Sequence, residues 1–163
     1  FLPYIDNKVV VASQDEPFVS ELLANLKAFS NRYKCNITIY GPSDWQKYEK
    51  IETNLFYELK LHVAAPYFTD YTSEAVKRFV QSYRYRYKTE PSQFAFQGYD
   101  VMLYFTSAIY RYGKNFENCL PFHREELLQS TYSFAPIMPG GARENKGVFL
   151  LRYTPWIEIV QYR

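Results

Sequence analysis

Histidine and cysteine are scarce in this sequence, with two of each among 163 residues: His62, His123, Cys35 and Cys119. A structural zinc site wants four ligands at short spacings and a disulfide framework wants more cysteines, so neither a metal site nor a disulfide scaffold is expected. The two cysteines, few and far apart along the chain, read as free structural thiols. Each histidine stands alone, His62 inside a strand and His123 at a helix start, and both read as satisfied core residues. A GxSxG elbow, a phosphate loop and a GxGxxG turn are all lacking, and the spacing around Gly140 and Gly147 has neither the Lys nor the Ser or Thr of a phosphate loop. Phosphoryl and dinucleotide chemistry are disfavoured, no nucleophile is paired with a base at short range, and no cofactor or catalytic residue is assigned. The longest apolar run, Ala95 to Tyr112, is broken by Gln97, Asp100, Ser107 and Arg111 and falls short of the roughly 20 residues of a membrane span. Charge of one sign is lacking too: 19 basic and 17 acidic residues are interspersed for a net +2, which leaves no electrostatic footprint for nucleic acid.

Aromatic residues, by contrast, are abundant, with 17 Tyr and 13 Phe. Tyrosine joins a rigid apolar body to a polar tip, which suits packing first and recognition surfaces second. Along the chain, Lys8 to Ala12 reads as a β-branched strand without polar alternation, expected at the centre of a parallel sheet. Ser13 and Glu16 have capping-box spacing, Asp15 is an alternative N-cap, and Pro17 suits a first turn. Phe18, Val19, Leu22, Leu23, Leu26 and Phe29 then form one helical face that ends near Ser30 and Asn31. Ile37 to Tyr40 is the next strand, stopped by Gly41 and Pro42, which makes a strand–helix–strand crossover. A short helix between Tyr48 and Leu59 and a third strand, Leu61 to Ala65, follow.

Thr72 or Ser73 should cap a helix running through Ala75, Val76, Phe79, Val80, Tyr83 and Tyr87, and Ser92 a second from Phe94 to Tyr112 closed by Gly113. A shorter helix is expected over Glu125 to Gln129, a loop over Ala135 to Lys146, and a hairpin from Gly147 to Tyr153 and Trp156 to Tyr162 through Thr154 and Pro155. Asp15, Asp44 and Asp100 are the carboxylates whose placement could converge on a cleft. For Asp15 and Asp44, helix capping is the competing reading.

Three stretches carry a resemblance: KVVVASQDEPFVSELLANL leading to ITIYGPSDW, then SEAVKRFVQSYRYRYKTEPSQFAFQGYDVMLYFTSAIYRYG, then ENKGVFLLRYTPWIEIVQY. In the middle one Phe79, Tyr83, Tyr87, Pro91, Gly98, Tyr99, Asp100 and Ala108 stand near the family spacings. Together they resemble the C-terminal half of the type I periplasmic binding proteins, the leucine-binding-protein-like group of amino acid ABC transporter components. YGPSDWQKY, RYKTEPSQFAFQGYD and ENKGV are similar to a branch of Gram-negative envelope proteins that often carry a LysM peptidoglycan-binding module, though this chain contains no LysM module. The resemblance implies an α/β fold: parallel-sheet, three-layer segments of a bilobed binding protein with a C-terminal β-hairpin. It implies a second-lobe segment over 1–66, a first-lobe helical segment over 67–130, and a hinge return with closing strands over 131–163.

It further implies a non-catalytic ligand-recognition or scaffolding module of the periplasm or cell envelope, with a small solute, a peptidoglycan-related ligand or an envelope protein as partner. Carried over by position, the ligand-binding residues are Asp15, Ser43, Asp44, Trp45 and Tyr99. The family's acidic partner of a ligand amine is replaced by Ser43, with Asp44 one residue on. The family strands that cover the two tyrosine-rich helices are not in this sequence, so self-association of the chain is expected. The alternative is a piece of a doubly wound α/β enzyme whose catalytic residues lie upstream.

Overall fold

The computed structural model describes residues 1–2, 4–138 and 140–154 in full and the backbone of Ile157–Ile159. In chain order the elements are β1 (Asp6–Val10), α1 (Glu16–Tyr33), β2 (Asn36–Pro42), a 3₁₀ turn (Ser43–Lys47), α2 (Thr53–Glu58), β3 (His62–Ala65), α3 (Glu74–Tyr87), α4 (Gln93–Tyr112), a second 3₁₀ turn (Gly113–Asn115), α5 (Phe116–Cys119), β4 (Phe134–Pro136), β5 (Arg143–Asn145), β6 (Phe149–Tyr153) and β7 (Ile157–Ile159). They fall into two compact units, one of residues 1–65 with 149–163, the other of residues 66–148.

The first unit is built on a five-stranded sheet in the order β1-β2-β3-β6-β7. β1, β2 and β3 are parallel, and β6 and β7 join antiparallel, so the sheet is mixed rather than parallel. Its C-terminal hairpin is the β6–β7 pair; Pro155, Trp156, Tyr162 and the rest of that expected strand end lie outside the described residues. The centre of the sheet is β3, where Val63 and Ala65 are buried. The valine run expected at the centre forms β1 instead, at the end of the sheet, with Val10 78% exposed. Among the described residues β1 pairs with β2 alone and so lies at the end of the sheet.

Helix α1 buries Val19, Leu23 and Leu26, the face expected from their spacing, but extends past Asn31 to Tyr33, where Lys34 turns left-handed at φ 50°. Asp15 takes the N-cap position and Pro17 the first turn. The Ser13–Glu16 capping box does not form: the Ser13 hydroxyl accepts from the Asp15 N–H, and the Glu16 carboxylate from the Lys50 N–H.

In the second unit, α3 starts after Ser73 and α4 after Ser92 and stops at Gly113, whose φ of 62° is cheap only for glycine. Helix α4 buries one residue per turn in a row, Phe96, Asp100, Tyr104 and Ala108. Phe96 packs with Val76, Val80 and Leu128, and Tyr104 and Ala108 pack with Leu120. Asp100, fully buried between these clusters, accepts the backbone N–H groups of Leu128 (2.7 Å), Gln129 (3.0 Å) and Ser130 (2.9 Å). Those bonds explain why the expected helix over Glu125 to Gln129 is absent, since amides that face a carboxylate cannot serve a helical ladder. A helix forms earlier, at α5. Gln129 passes the anchor onward, its carbonyl accepting from Phe68 N–H and its amide donating to the Gln93 carbonyl.

The segment expected as loop, Ala135 to Lys146, carries most of a two-stranded antiparallel sheet, β4 with β5. Asn145 fastens it, accepting from the Ser133 and Gly147 N–H groups and donating to the Thr131 carbonyl. A side chain at Gly147 would collide with the Thr131 backbone.

Two outcomes are expected. Asp100→Asn keeps one acceptor oxygen for three backbone donors, two of them buried, and should cost about 2 to 4 kcal/mol of stability, read as a lower urea midpoint. His62, buried in β3 with Nδ1 2.7 Å from the Lys60 carbonyl and its ring stacked on Tyr40, is held below the ordinary value of 6.5 by burial above all, against that carbonyl's pull. The unfolded chain therefore takes up this proton before the folded one does. Stability from His62 is full above about pH 6.5 and is lost as pH falls from there through the folded value. His62→Gln should flatten the fall of the thermal midpoint between about pH 7 and 5; an unchanged slope would show that this imidazole does not govern it.

Candidate functional site

Loops that follow adjacent parallel strands emerge at the same edge of a sheet, which is where α/β folds place their sites. Here those loops are residues 11–15 after β1 and the 3₁₀ turn Ser43–Lys47 after β2. Their register is set by the Val11 N–H on the Tyr40 carbonyl at 2.9 Å. Side chains then latch one loop to the other. The Trp45 indole N–H donates to the Ser13 carbonyl (2.9 Å), the Tyr48 hydroxyl to the Gln14 carbonyl (2.7 Å), and the Gln14 amide to Asp44 (3.1 Å). The other Asp44 oxygen receives the Lys47 ammonium at 2.9 Å.

Trp45 is fully buried, and its ring fills the space where a Gly41 side chain would stand. The indole expected among the ligand-binding residues is therefore a core residue, because closing the turn onto the sheet leaves it no face toward solvent. Asp15 is exposed, and Ser43 and Asp44 are half-buried. Tyr48 reports the electrostatics of this edge. Its phenol is pushed above its ordinary value by desolvation first, then by the charges of Asp44, Glu16 and Asp15. Three carboxylates thus bear on one point. One of them, Asp44, already holds the Lys47 ammonium, and the Ser43 hydroxyl has no histidine among the residues that latch the two loops.

Tyr99 belongs to the other unit. Its ring packs on Phe79 with centroids 4.9 Å apart and borders a hollow of about 250 Å³ shared with Ala75, Arg78, Ser82 and Leu128. Asp100, the next residue, serves the fold as described and is withdrawn from any cleft. The two units each hold part of the expected set: Asp15, Ser43, Asp44 and Trp45 in the first, Tyr99 in the second.

One pairing escaped the sequence reading. His123 precedes no helix; it is fully buried, and its Nε2 lies 2.9 Å from the Ser107 hydroxyl. Serine beside histidine suggests a nucleophile and its base, but the geometry is wrong for a relay. The nearest carboxylate, Glu125, sits 3.9 Å from the same nitrogen, whereas an orienting acid must hold the opposite one. Nδ1, where that acid belongs, has no hydrogen-bond partner among the described residues. Sixteen residues separate Ser107 and His123, so no local spacing could have announced them. Gln14, Glu16 and Tyr48 were also missed as parts of the latch. Their one signal was position, just past two strand ends.

Among the described residues no group of three or more His, Cys, Asp or Glu could hold a metal ion, and no helix is long and apolar enough to cross a membrane. Cys35 and Cys119 are free thiols. No family model matches this chain, and no curated protein sequence does.

Proposed function

We propose that this chain is a non-catalytic recognition module of the bacterial cell envelope, of the periplasmic-binding-protein kind, which holds a small cationic or zwitterionic solute at the carboxyl edge of β1 and β2. The observation that carries the reading is the pair of latched loops bearing Asp15 and Asp44, whose charges, with that of Glu16 at the start of α1, bear on Tyr48. Latching fixes the polar groups before a ligand arrives, which lowers the ordering cost of binding. Asp15 and Asp44 supply the charge for an ammonium, Ser43 a hydroxyl, and Tyr48 an aromatic rim. Trp45 supports the turn from beneath. The envelope setting and the bilobed binding-protein architecture rest on the resemblance of the YGPSDW, GYD and ENKGV stretches.

Calorimetry of the chain against amino acids, diamines, short peptides and muropeptides tests this. A binder is expected whose affinity falls by about 1 to 3 kcal/mol in Asp44→Ala, the cost of leaving a charged partner unmatched. If no member of the panel binds, the solute reading is lost and a scaffolding role remains. Turnover of any substrate in a hydrolase panel would overturn the non-catalytic assignment.

A further inference from the structure

Helix α3 is basic and aromatic at once. Residues 74–88 hold five basic side chains and one acidic one. Lys77 is spent on Glu74 at 2.8 Å and Arg84 on Glu90 at 2.7 Å. Arg78 and Arg86 have no ion pair among the described residues, although Arg86 lies over the Tyr87 ring at 5.8 Å. Residues 78, 82 and 86 are spaced by four, so Arg78, Ser82 and Arg86 stand in one row on the helix surface. Beside them runs a second row, Phe79, Tyr83 and Tyr87, whose rings touch in succession at 5.9 and 4.6 Å. Two hollows share Ser82: the one bordered by Arg78, Phe79 and Tyr99, and another of about 560 Å³ bordered by Gln81, Tyr85 and Arg86. The result is a track along α3 with a guanidinium at each end and aromatic rings between.

From this track we infer a second site, independent of the strand-edge site in the other unit: a groove that takes an extended acidic peptide segment of a protein partner. Spacing selects the occupant. Arg78 and Arg86 are eight helical residues apart, about 12 Å along the axis. An extended chain covers about 3.3 Å per residue, so carboxylates four residues apart span about the same length. Such a peptide sets one carboxylate on each guanidinium, which can bind both oxygens in fork geometry. Apolar side chains between the acids lie on Phe79, Tyr83 and Tyr99, and the Ser82 hydroxyl and Gln81 amide meet the peptide backbone.

Other anionic partners fit less well. Nucleic acid would engage many cations along a phosphate chain, whereas residues 74–88 offer three without an ion pair among the described residues: Arg78, Arg86 and, over the Tyr85 ring at 4.9 Å, Lys88. A lipid surface wants exposed Leu, Phe or Trp to insert, whereas the exposed rings here, Tyr85 (81%) and Tyr87 (57%), end in hydroxyls.

The test uses a fluorescein-labelled peptide with two glutamates four residues apart and phenylalanine and leucine between them, titrated with the chain by anisotropy. Binding is expected to weaken as salt rises, to be lost when both glutamates are replaced by glutamine, and to weaken about tenfold or more in Arg78→Ala/Arg86→Ala. Arg111→Ala, an exposed arginine on α4, should leave it unchanged. The doubly reversed Arg78→Glu/Arg86→Glu chain should take the same peptide with lysines for glutamates, which shows that its groove is still folded. The groove assignment is overturned if the wild type does not bind the glutamate peptide, if the glutamine peptide binds equally, or if the double alanine variant keeps full affinity. It is also overturned if single-stranded oligothymidylate or phosphatidylglycerol vesicles bind more tightly than the peptide with the same arginine dependence.

Discussion

The helical unit depends on one buried charge. Asp100 interrupts an apolar row on α4 and carries a carboxylate whose hydrogen-bond partners among the described residues are three backbone amides. A buried carboxylate is tolerable only when hydrogen bonds replace its water, so residues 128–130 must stay where their N–H groups converge. Their position fixes Gln129, which ties down Phe68 and Gln93, and sets Leu128 into the cluster with Phe96. It also fixes the rotation of α4 about its axis. With Asp100 inward, Tyr99 must lie to one side, against Phe79, where it borders the hollow beside Arg78.

The other unit solves a similar problem with neutral groups. Two loops leaving one sheet edge carry carbonyls that need donors, and the Trp45 indole and Tyr48 hydroxyl supply them. Both residues come from the loop after β2 and reach across to the loop after β1. Asp15, at the N-cap of α1, makes no side-chain bond there, whereas Asp44 holds the Gln14 amide and the Lys47 ammonium. The two units thus end with opposite characters, carboxylates focused at a strand edge in one and unspent guanidinium groups along a helix in the other.

Local signals made much of this legible. The spacing of Val19, Leu23 and Leu26, and of Val76, Val80, Phe96 and Ala108, marked α1, α3 and α4, and Gly113 marked the end of α4. Strands β2 and β3 were visible as apolar runs, although β2 is not stopped at Gly41 and Pro42, which pair with Val63 and Ala64 as its last residues. What escaped depends on partners far along the chain. The run Lys8 to Ala12 looks doubly buried by composition, yet which strand lies at the centre is decided by where β6 returns. The stretch Glu125 to Gln129 has helical residues, but Asp100, some thirty positions earlier, claims its amides. β4 and β5 are held by Asn145 side-chain bonds that no periodicity encodes. Of the candidate site, position past two strand ends put Asp15, Ser43 and Asp44 on neighbouring loops, but neither the latch between those loops nor the burial of Trp45 can be read from residue type.

The contact between Gly41 and Trp45 carries a consequence for spectroscopy. One of the two indoles in the chain is sealed inside the first unit, with its N–H committed to the Ser13 carbonyl and a glycine against its ring. An indole so shielded emits toward the blue, and loosening of the turn after β2 would admit water and shift that emission to the red. Trp45 is therefore a built-in optical gauge of whether the latched loops stay closed, readable without any label.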